Sequence, residues 1–480
     1  MHLHYGPRGR GARALGVGLA LVASLALARL AAAQAPLTPE RRLARDVYQQ
    51  LIDINTTDSA DGTTDAANAM AERLRAAGFP AADVQVLVPP GNDRRGNLVA
   101  RLHGSDASRK PILLLAHLDV VEAKKEDWSS DLDPFHLTEK DGFFYGRGTT
   151  DDKAMAAIFV ANLIRFKQEH FVPDRDIILA LTADEEGGDF NGVSWLLQVH
   201  PDLVAADFGL NEGGGGELRQ GKHVANKVGT AEKVYLDFTL QATNPGGHSS
   251  VPKKDNAIYH LAGALTRLAD FSFPAQLNET TRTYFERMAP IEGGETGAEM
   301  RAAARGDAAA IARLSANPVY NALLRTTCVA TLLSGGHAPN ALPQRATANV
   351  NCRLLPGTDP RQVQATLERV FADSAVEVTP VAAAKPSPPS PLRPDVFGPI
   401  EAITQAMWPG TAVVPSMSTG ASDGLFFRQR GIPIYGVSGL FAELGDGHAH
   451  GRDERLSVPA FYDGQEFLYR LVKAYTTPRT

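Results

Sequence analysis

Four short stretches of this 480-residue chain gather residue types that bind cations and move protons. His117 and Asp119 close an aliphatic run in "LLLAHLDVVE". Asp151 and Asp152 stand side by side in "YGRGTTDDK", Glu185 and Glu186 in "TADEEGG", and His448 and His450 lie in "GHAHGRDER". An extended strand turns residues i and i+2 to one side. His117 and Asp119 are therefore expected to share a crevice, the carboxylate steadying one imidazole nitrogen while the other stays free for a metal. Consecutive strand residues face opposite sides, which gives Glu185 and Glu186 different tasks, one meeting a metal and the other meeting substrate. The paired aspartates exclude a phosphate loop, because two carboxylates would repel the anion such a loop cradles. Singly, each stretch has a plain structural alternative: a capped strand end, a helix N-cap or a solvated turn. Together they make a better metal site. Mixed His and carboxylate donors suit zinc, and a set this rich in acid suits two ions sharing one bridging Asp.

Such clusters need a scaffold that brings them to one edge, and the surrounding sequence supplies the pattern for it. "GNLVARL", "PILLLAH", "DIILALTAD" and "ADFGLN" read as strands, and "KAMAAIFVANLIRFKQ" and "GVSWLLQVH" as helices between them. Near-continuous apolar strands alternating with helices predict an α/β fold, a mostly parallel sheet covered by helices. In such sheets ligands gather at the carboxyl ends of the strands, where the first three clusters fall. From about residue 231 the texture changes to half-exposed alternating strands such as "KVYLDFTLQA", with a helical stretch at roughly 255–325. The Pro-rich "KPSPPSPLRP" reads as a stiff linker, after which the first texture resumes. The expected organisation is a catalytic domain in two parts, 37–230 and 393–480. A smaller α+β lid and dimerisation domain, 231–384, is inserted between them.

Composition narrows the function classes. The chain is 44% hydrophobic and 21% charged, with a formal net charge of −6. That is ordinary for a globular protein, and without a sustained basic run it gives no case for nucleic acid binding. Arg8, Arg10 and Arg13 precede the apolar "ALGVGLALVASLAL" and the small residues "AAAQA". This is the layout of a signal peptide over 1–33, with cleavage after Ala33 or Ala35, and it implies a periplasmic or secreted protein. An uncleaved anchor is the alternative, although the run is short for a span and Arg29 interrupts it. No later segment reads as transmembrane. Cys328 and Cys352 both sit in strand-like runs; they form one disulfide or remain two buried thiols.

The order "HLDVV…DGFFYGRGTTDDK", "DEEGG", "NEGGG", "GGHSS" and "HGRDERLS" resembles the di-zinc metallopeptidases that include glutamate carboxypeptidase, carnosinase, aminoacylase and carboxypeptidase S. The carboxypeptidase S branch is the most similar in motif, and the likeness runs over nearly all of the mature chain. It implies two zinc ions, with cobalt or manganese as replacements. His117 would ligate one ion with Asp119 behind it, Asp151 would bridge both, and the Asp151–Asp152 peptide bond would be cis. Glu185 would act as general base and Glu186 as a ligand. His450 would be the last ligand, with His448 as its alternative. Relatives carry an acidic ligand where this chain has Asn211-Glu212-Gly213. Either Glu212 takes its place, as anionic oxygen favours, or Asn211 offers an amide oxygen. His248 resembles a lid histidine that steadies an oxyanion, often in a partner subunit. Asn340 and Arg353 resemble residues that hold the substrate's carbonyl and free carboxylate. The loop "STGASDGLFF" is expected to line a specificity pocket. The implied activity is hydrolysis of amide bonds in short peptides or N-acyl amino acids. A dedicated N-acyl-amino-acid deacylase or synthase, and an inactive peptide-binding relative, are the alternatives.

Overall fold

Strands Ile112–His117 and Ile177–Thr182 are buried along their whole length and pair in parallel, with His117 opposite Thr182. Their continuous aliphatic sequences suit a position covered on both faces. Strand Phe208–Asn211 joins Ile112–His117 on its other side, and Ile434–Gly436 follows, again in parallel. These four form the centre of a ten-stranded sheet whose borders, such as Val84–Leu87 against Asn97–Leu102, turn antiparallel. The fold is thus α/β with a large, mostly parallel sheet. The structure is a computed structural model describing residues 36–478 apart from 61, 188 and 189. The expected signal segment 1–33 lies outside the described residues, and of the first 43 only the approach to and beginning of helix Pro39–Asp53 are described.

Helix Lys153–Gln168 is buried on nearly every side, between strand Ile112–His117 and helix Val458–Tyr475. That explains a sequence apolar all round rather than on one stripe. Its N-terminus points the Asp151–Asp152 loop at the carboxyl ends of the central strands.

The second sheet is antiparallel, in the order Thr327–Gly335, Arg345–Leu354, Val234–Thr243, Val376–Pro380. Helices Ala257–Asp270 and Pro360–Phe371 cover one face, burying Leu236, Phe238, Leu240, Leu261, Leu367 and Phe371. Cys328 and Cys352 lie directly opposite each other across two strands and form a disulfide. Of the two alternatives for this pair, bonded or free, the chain takes the bonded one.

Two segments depart from their expected places. The helices between Glu279 and Leu324, expected within the inserted domain, pack instead on the main sheet, where Phe285, Met288 and Ala289 meet Ala225, Val414 and Met417. The outer parallel pair Ala412–Ser418 and Lys222–Glu232 has an apolar face, and these helices cover it. The Pro-rich segment does not span open space as a linker. Ser387 and Ser390 are buried, and Ser390 exchanges hydrogen bonds of 2.7 and 2.9 Å with the Ile434 backbone. Among the described residues no helix is long and apolar enough to cross a membrane.

Candidate metal centre

The register that sets His117 beside Thr182 also sets it beside the turn holding Glu185 and Glu186. Buried His117 turns Nε2 to Asp151 Oδ1 at 2.9 Å. The other Asp151 oxygen, Oδ2, lies 3.2 Å from His450 Nε2, and His450 Nε2 is 2.8 Å from Glu186 Oε1. One carboxylate therefore stands between two imidazoles, with a different oxygen toward each. Two sets of donor atoms lie within 4.8 Å of one another: His117, Asp151 and Glu186, and His117, Glu185 and Glu212. The Asp151–Asp152 peptide bond is cis. Asp152 occupies the N-cap of its helix without its side chain capping it.

Two geometric expectations change. The strand ends at His117, so Asp119 is no longer held to its face. His117 Nδ1–H donates to the Asp119 main-chain carbonyl at 3.0 Å, while the Asp119 carboxylate stands 3.8 Å from that nitrogen. The carboxylate instead accepts the backbone N–H groups of Glu185 and Glu186, at 3.2 and 2.9 Å. Asp119 thus pins the glutamate turn as well as the histidine. Strand Ile177–Thr182 likewise ends before the glutamates, so a turn rather than a pleat separates them: Glu185 goes toward Glu212, Glu186 toward His450.

The open choices resolve into positions. Glu212 joins the acidic group, whereas the buried Asn211 amide donates to Ser422 Oγ at 3.4 Å. His450 reaches Asp151 and Glu186, while exposed His448 does not join them.

Glu454 escaped the sequence reading, although it sits in the "HGRDER" stretch. Fully buried, it accepts from Arg147 Nη1 and the Gly148 N–H through Oε2, at 2.8 and 3.0 Å. Its Oε1 accepts from the Thr150 N–H and hydroxyl, both at 2.8 Å, and from the Asp151 N–H at 3.3 Å. It clamps the loop that presents Asp151 from some 300 residues away in sequence, a separation that leaves no local signal. Asp423 was also missed; it is buried and accepts from Asn191 and Thr182 at 2.6 and 3.3 Å.

Charge is crowded here. Burial pushes the Glu185 carboxyl up to about 9, with Glu212, Asp423 and Glu186 adding to the effect. Burial likewise raises Glu186, and carries Glu212 well above the ordinary range. Burial opposes charge on His117, but Asp151 and Asp119 overcome it and raise that ring well above its usual value. His450 rises to about 9 through its hydrogen bond to Asp151. The three glutamates and both imidazoles are driven to hold protons, while the two rings keep Asp151 between them ionised against its burial, the mark of a site with too much negative charge for its two imidazoles. Divalent cations satisfy such a site, and the His and carboxylate donors fit them.

The family model described as Peptidase family M20/M25/M40 matches residues 113–474. The chain belongs to this family. Human N-fatty-acyl-amino acid synthase/hydrolase PM20D1 is 30% identical over 384 residues, covering 78% of this chain and 75% of that protein. Probable carboxypeptidase S-like 2 of Dictyostelium discoideum is 30% identical over 391 residues, covering 78% and 74%. The crystal structure of the M20 family metallo-carboxypeptidase Sso-CP2 from Sulfolobus solfataricus superposes with a TM-score of 0.66 at 17% identity. It covers 92% of this chain and 99% of that one, and so shares the fold.

In this family member, the remaining candidates lie on the second sheet and its ribbon. Exposed His248 pairs with Ala341 across a two-stranded ribbon, beside exposed Asn340, whose carbonyl accepts the Ser249 N–H at 3.0 Å. The His248 ring is 2.7 Å from the Ser250 hydroxyl. Arg353 lies opposite Tyr235 and rests its guanidinium 4.6 Å from that ring's centre. These three residues are thus held by the lid rather than by the carboxylate cluster.

Proposed function

We propose that the protein hydrolyses amide bonds in short peptides or N-acyl amino acids bearing a free carboxylate. The observation that carries this reading is the Asp151 carboxylate, with one oxygen at His117 and the other at His450. His117, Asp151 and Glu212 would hold one divalent ion, and Asp151, Glu186 and His450 a second. Zinc suits these donors best, with cobalt or manganese as replacements. Bound there, the ion pair would supply the positive charge that activates water and polarises a carbonyl.

Glu185 takes the proton of the attacking water and returns it to the leaving amine; burial by itself raises its carboxyl, which beside bound cations would regain the ionised form a base needs. Asp119 keeps Glu185 in place through its main-chain N–H. His248, supplied by a partner copy, steadies the developing oxyanion. Asn340 holds the carbonyl, and the Arg353 fork binds the carboxylate. Relatives named for N-fatty-acyl amino acids and for carboxypeptidase S support both substrate types. The chemistry is shared: cleavage, or condensation in reverse, of an amide beside a carboxylate-bearing carbon.

The lid is proposed to pair two copies through its edge strand Thr327–Gly335, where Val329, Leu332 and Leu333 are exposed. A periplasmic or secreted location is supported by the N-terminal apolar run and by the disulfide.

A panel of dipeptides and N-acyl amino acids, assayed after chelation and again after adding back zinc, cobalt or manganese, tests the reading. Hydrolysis should vanish and return. Glu185→Gln should lose at least about 100-fold in kcat while binding two ions per chain by elemental analysis. An active Gln variant would overturn the base assignment.

A further inference from the structure

The lid strand Val234–Thr243 is paired on one side along its length by Arg345–Leu354. On the other side Val376–Pro380 pairs only from Phe238 onward, and the chain then diverges after Val381. Between the edge at 234–236, the diverging segment and the loop after Ser418 lies a cavity of about 370 Å³. Its walls include Tyr235, Leu236, Val381, Ala383, Ala421 and Leu425. That volume is within the range of small-molecule sites, and the walls are mostly apolar.

Three cations stand on or beside its walls. Lys233 lines the cavity, buried, with its ammonium 3.2 Å from Thr327 Oγ1. Thr327 pairs with Arg353 across the strands, which brings the two cations near each other; burial, then the Arg353 charge, lowers the Lys233 pKa to about 8. Arg353 lies over the ring of Tyr235, itself a cavity wall. Lys385, a third cation on the wall, rests over the Phe426 ring at 5.3 Å. The one acid present is occupied: Asp237 accepts from the Tyr235 hydroxyl and from Asn349 and Asn351, at 2.5, 3.2 and 2.8 Å. On the far side, Ala421 also borders a small cavity of about 80 Å³ that Glu212 and Ser422 line. The apolar space is therefore one loop away from the acidic cluster.

An apolar space flanked by cations fits an anionic amphiphile. In a peptide or N-acyl amino acid, the apolar group nearest the carboxylate is the side chain on the same carbon. The acyl chain lies beyond the scissile amide. We propose that this cavity selects substrates whose carboxylate-bearing residue has a large apolar side chain, with Lys233 assisting Arg353 in holding the carboxylate. The proposal rests on the amide-hydrolase reading above and adds the specificity of the same site.

Two substrate series test it, one varying the amino acid from glycine to leucine and phenylalanine, the other varying the acyl group from acetyl to dodecanoyl. Burying a phenylalanine side chain should raise kcat/KM over glycine by about tenfold to a hundredfold. Ala383→Trp, at an exposed position, should fill the space, and Val381→Asp should put a charge on its wall against the apolar side chain that glycine lacks. In each variant the phenylalanine-to-glycine ratio should collapse toward unity while the dodecanoyl-to-acetyl ratio stays as in the native protein. A collapsed acyl ratio with the side-chain ratio intact would overturn the proposal, as would no change in either. Equilibrium binding of N-acetylphenylalanine against N-acetylglycine separates the two readings. A protein that hydrolyses neither substrate, yet prefers the phenylalanine compound until Ala383→Trp, refutes the hydrolase and supports the subsite. Equal binding of both compounds overturns the subsite.

Discussion

Glu454→Gln is the most informative single change, because its magnitude can be worked from five hydrogen bonds. The native carboxylate takes two donors on Oε2, from Arg147 and Gly148, and three on Oε1, from Thr150 twice and from Asp151. An amide of the same shape has one oxygen, so one side must face an NH₂ group that cannot accept. Keeping the oxygen toward Thr150 and Asp151 satisfies more donors and leaves the Arg147 cation facing nitrogen. Arg147 is 3% exposed, and among the described residues its guanidinium keeps only the Gly451 carbonyl, at 2.9 Å, as a hydrogen-bond acceptor. Breaking one side of a buried ion pair costs about 3–5 kcal/mol. That should appear as a fall in urea midpoint at unchanged slope. Since the same carboxylate fixes the loop carrying Asp151, affinity for zinc should fall about 10–100-fold by competition with a chelator. Adding Arg147→Met removes the stranded cation, so the double variant should recover about 2 kcal/mol relative to the sum of the singles. A Gln variant within 1 kcal/mol of the native protein, with unaltered metal affinity, would refute the clamp.

Glu212→Gln separates the two candidates for the acidic ligand: one ion per chain should be lost, because Glu212 is the carboxylate that lies with His117 and Glu185. Retention of two ions would return the role to Asn211. Asp207 receives both guanidinium arms of Arg393, at 3.1 and 3.2 Å, and one from Arg175 at 3.1 Å. Burial opposes its charge, but these arginines lower its pKa overall. A lowered acid stabilises the fold above its unfolded pKa of about 3.9 and loses that effect as pH falls through the folded value. Asp207→Asn should therefore cost about 1 kcal/mol at pH 7 and progressively less below about pH 4. Urea titrations at both pH values check this, and a penalty independent of pH would show that charge is not its source.

Much of the centre was legible because its donors are short motifs on long apolar strands. His117, Asp151, Glu186 and Glu212 each follow or precede an element whose period is plain in the sequence, whereas His450 sits in a loop between two three-residue strands and was legible only through its motif. What failed was reasoning that extended a strand past its end. Asp119 and the glutamate pair lie beyond the last ladder residue, where alternation of faces no longer holds. The helices from Glu279 to Leu324 show a different limit. Periodicity revealed that they have an apolar face but not which sheet would cover it. Glu454 and Asp423 were invisible for a third reason. Each acts through partners more than 200 residues away, and a buried acid has no local signature until the fold supplies its donors.

The same crowding links stability to function. Asp119, Asp151, Asp152, Glu185, Glu186, Glu212 and Asp423 converge on only two imidazoles, His117 and His450. The nearby buried Lys153 gives its ammonium to the Ile54 carbonyl at 2.8 Å instead. Asp119 is engaged by two backbone N–H groups and Asp423 by Asn191 and Thr182, so these two position rather than bind. The acids left facing one another are the ones that would share cations, and cations bound only by the folded chain must stabilise it. At a free ion concentration 100 times the dissociation constant, each site adds about 2.7 kcal/mol. The excess of carboxylate is therefore a reason for the fold to depend on its ions, and Glu185 is the member of the set whose best use is a proton. It borders the Glu212 side of the group, while Glu186 is turned by the same Asp119-held bend toward His450.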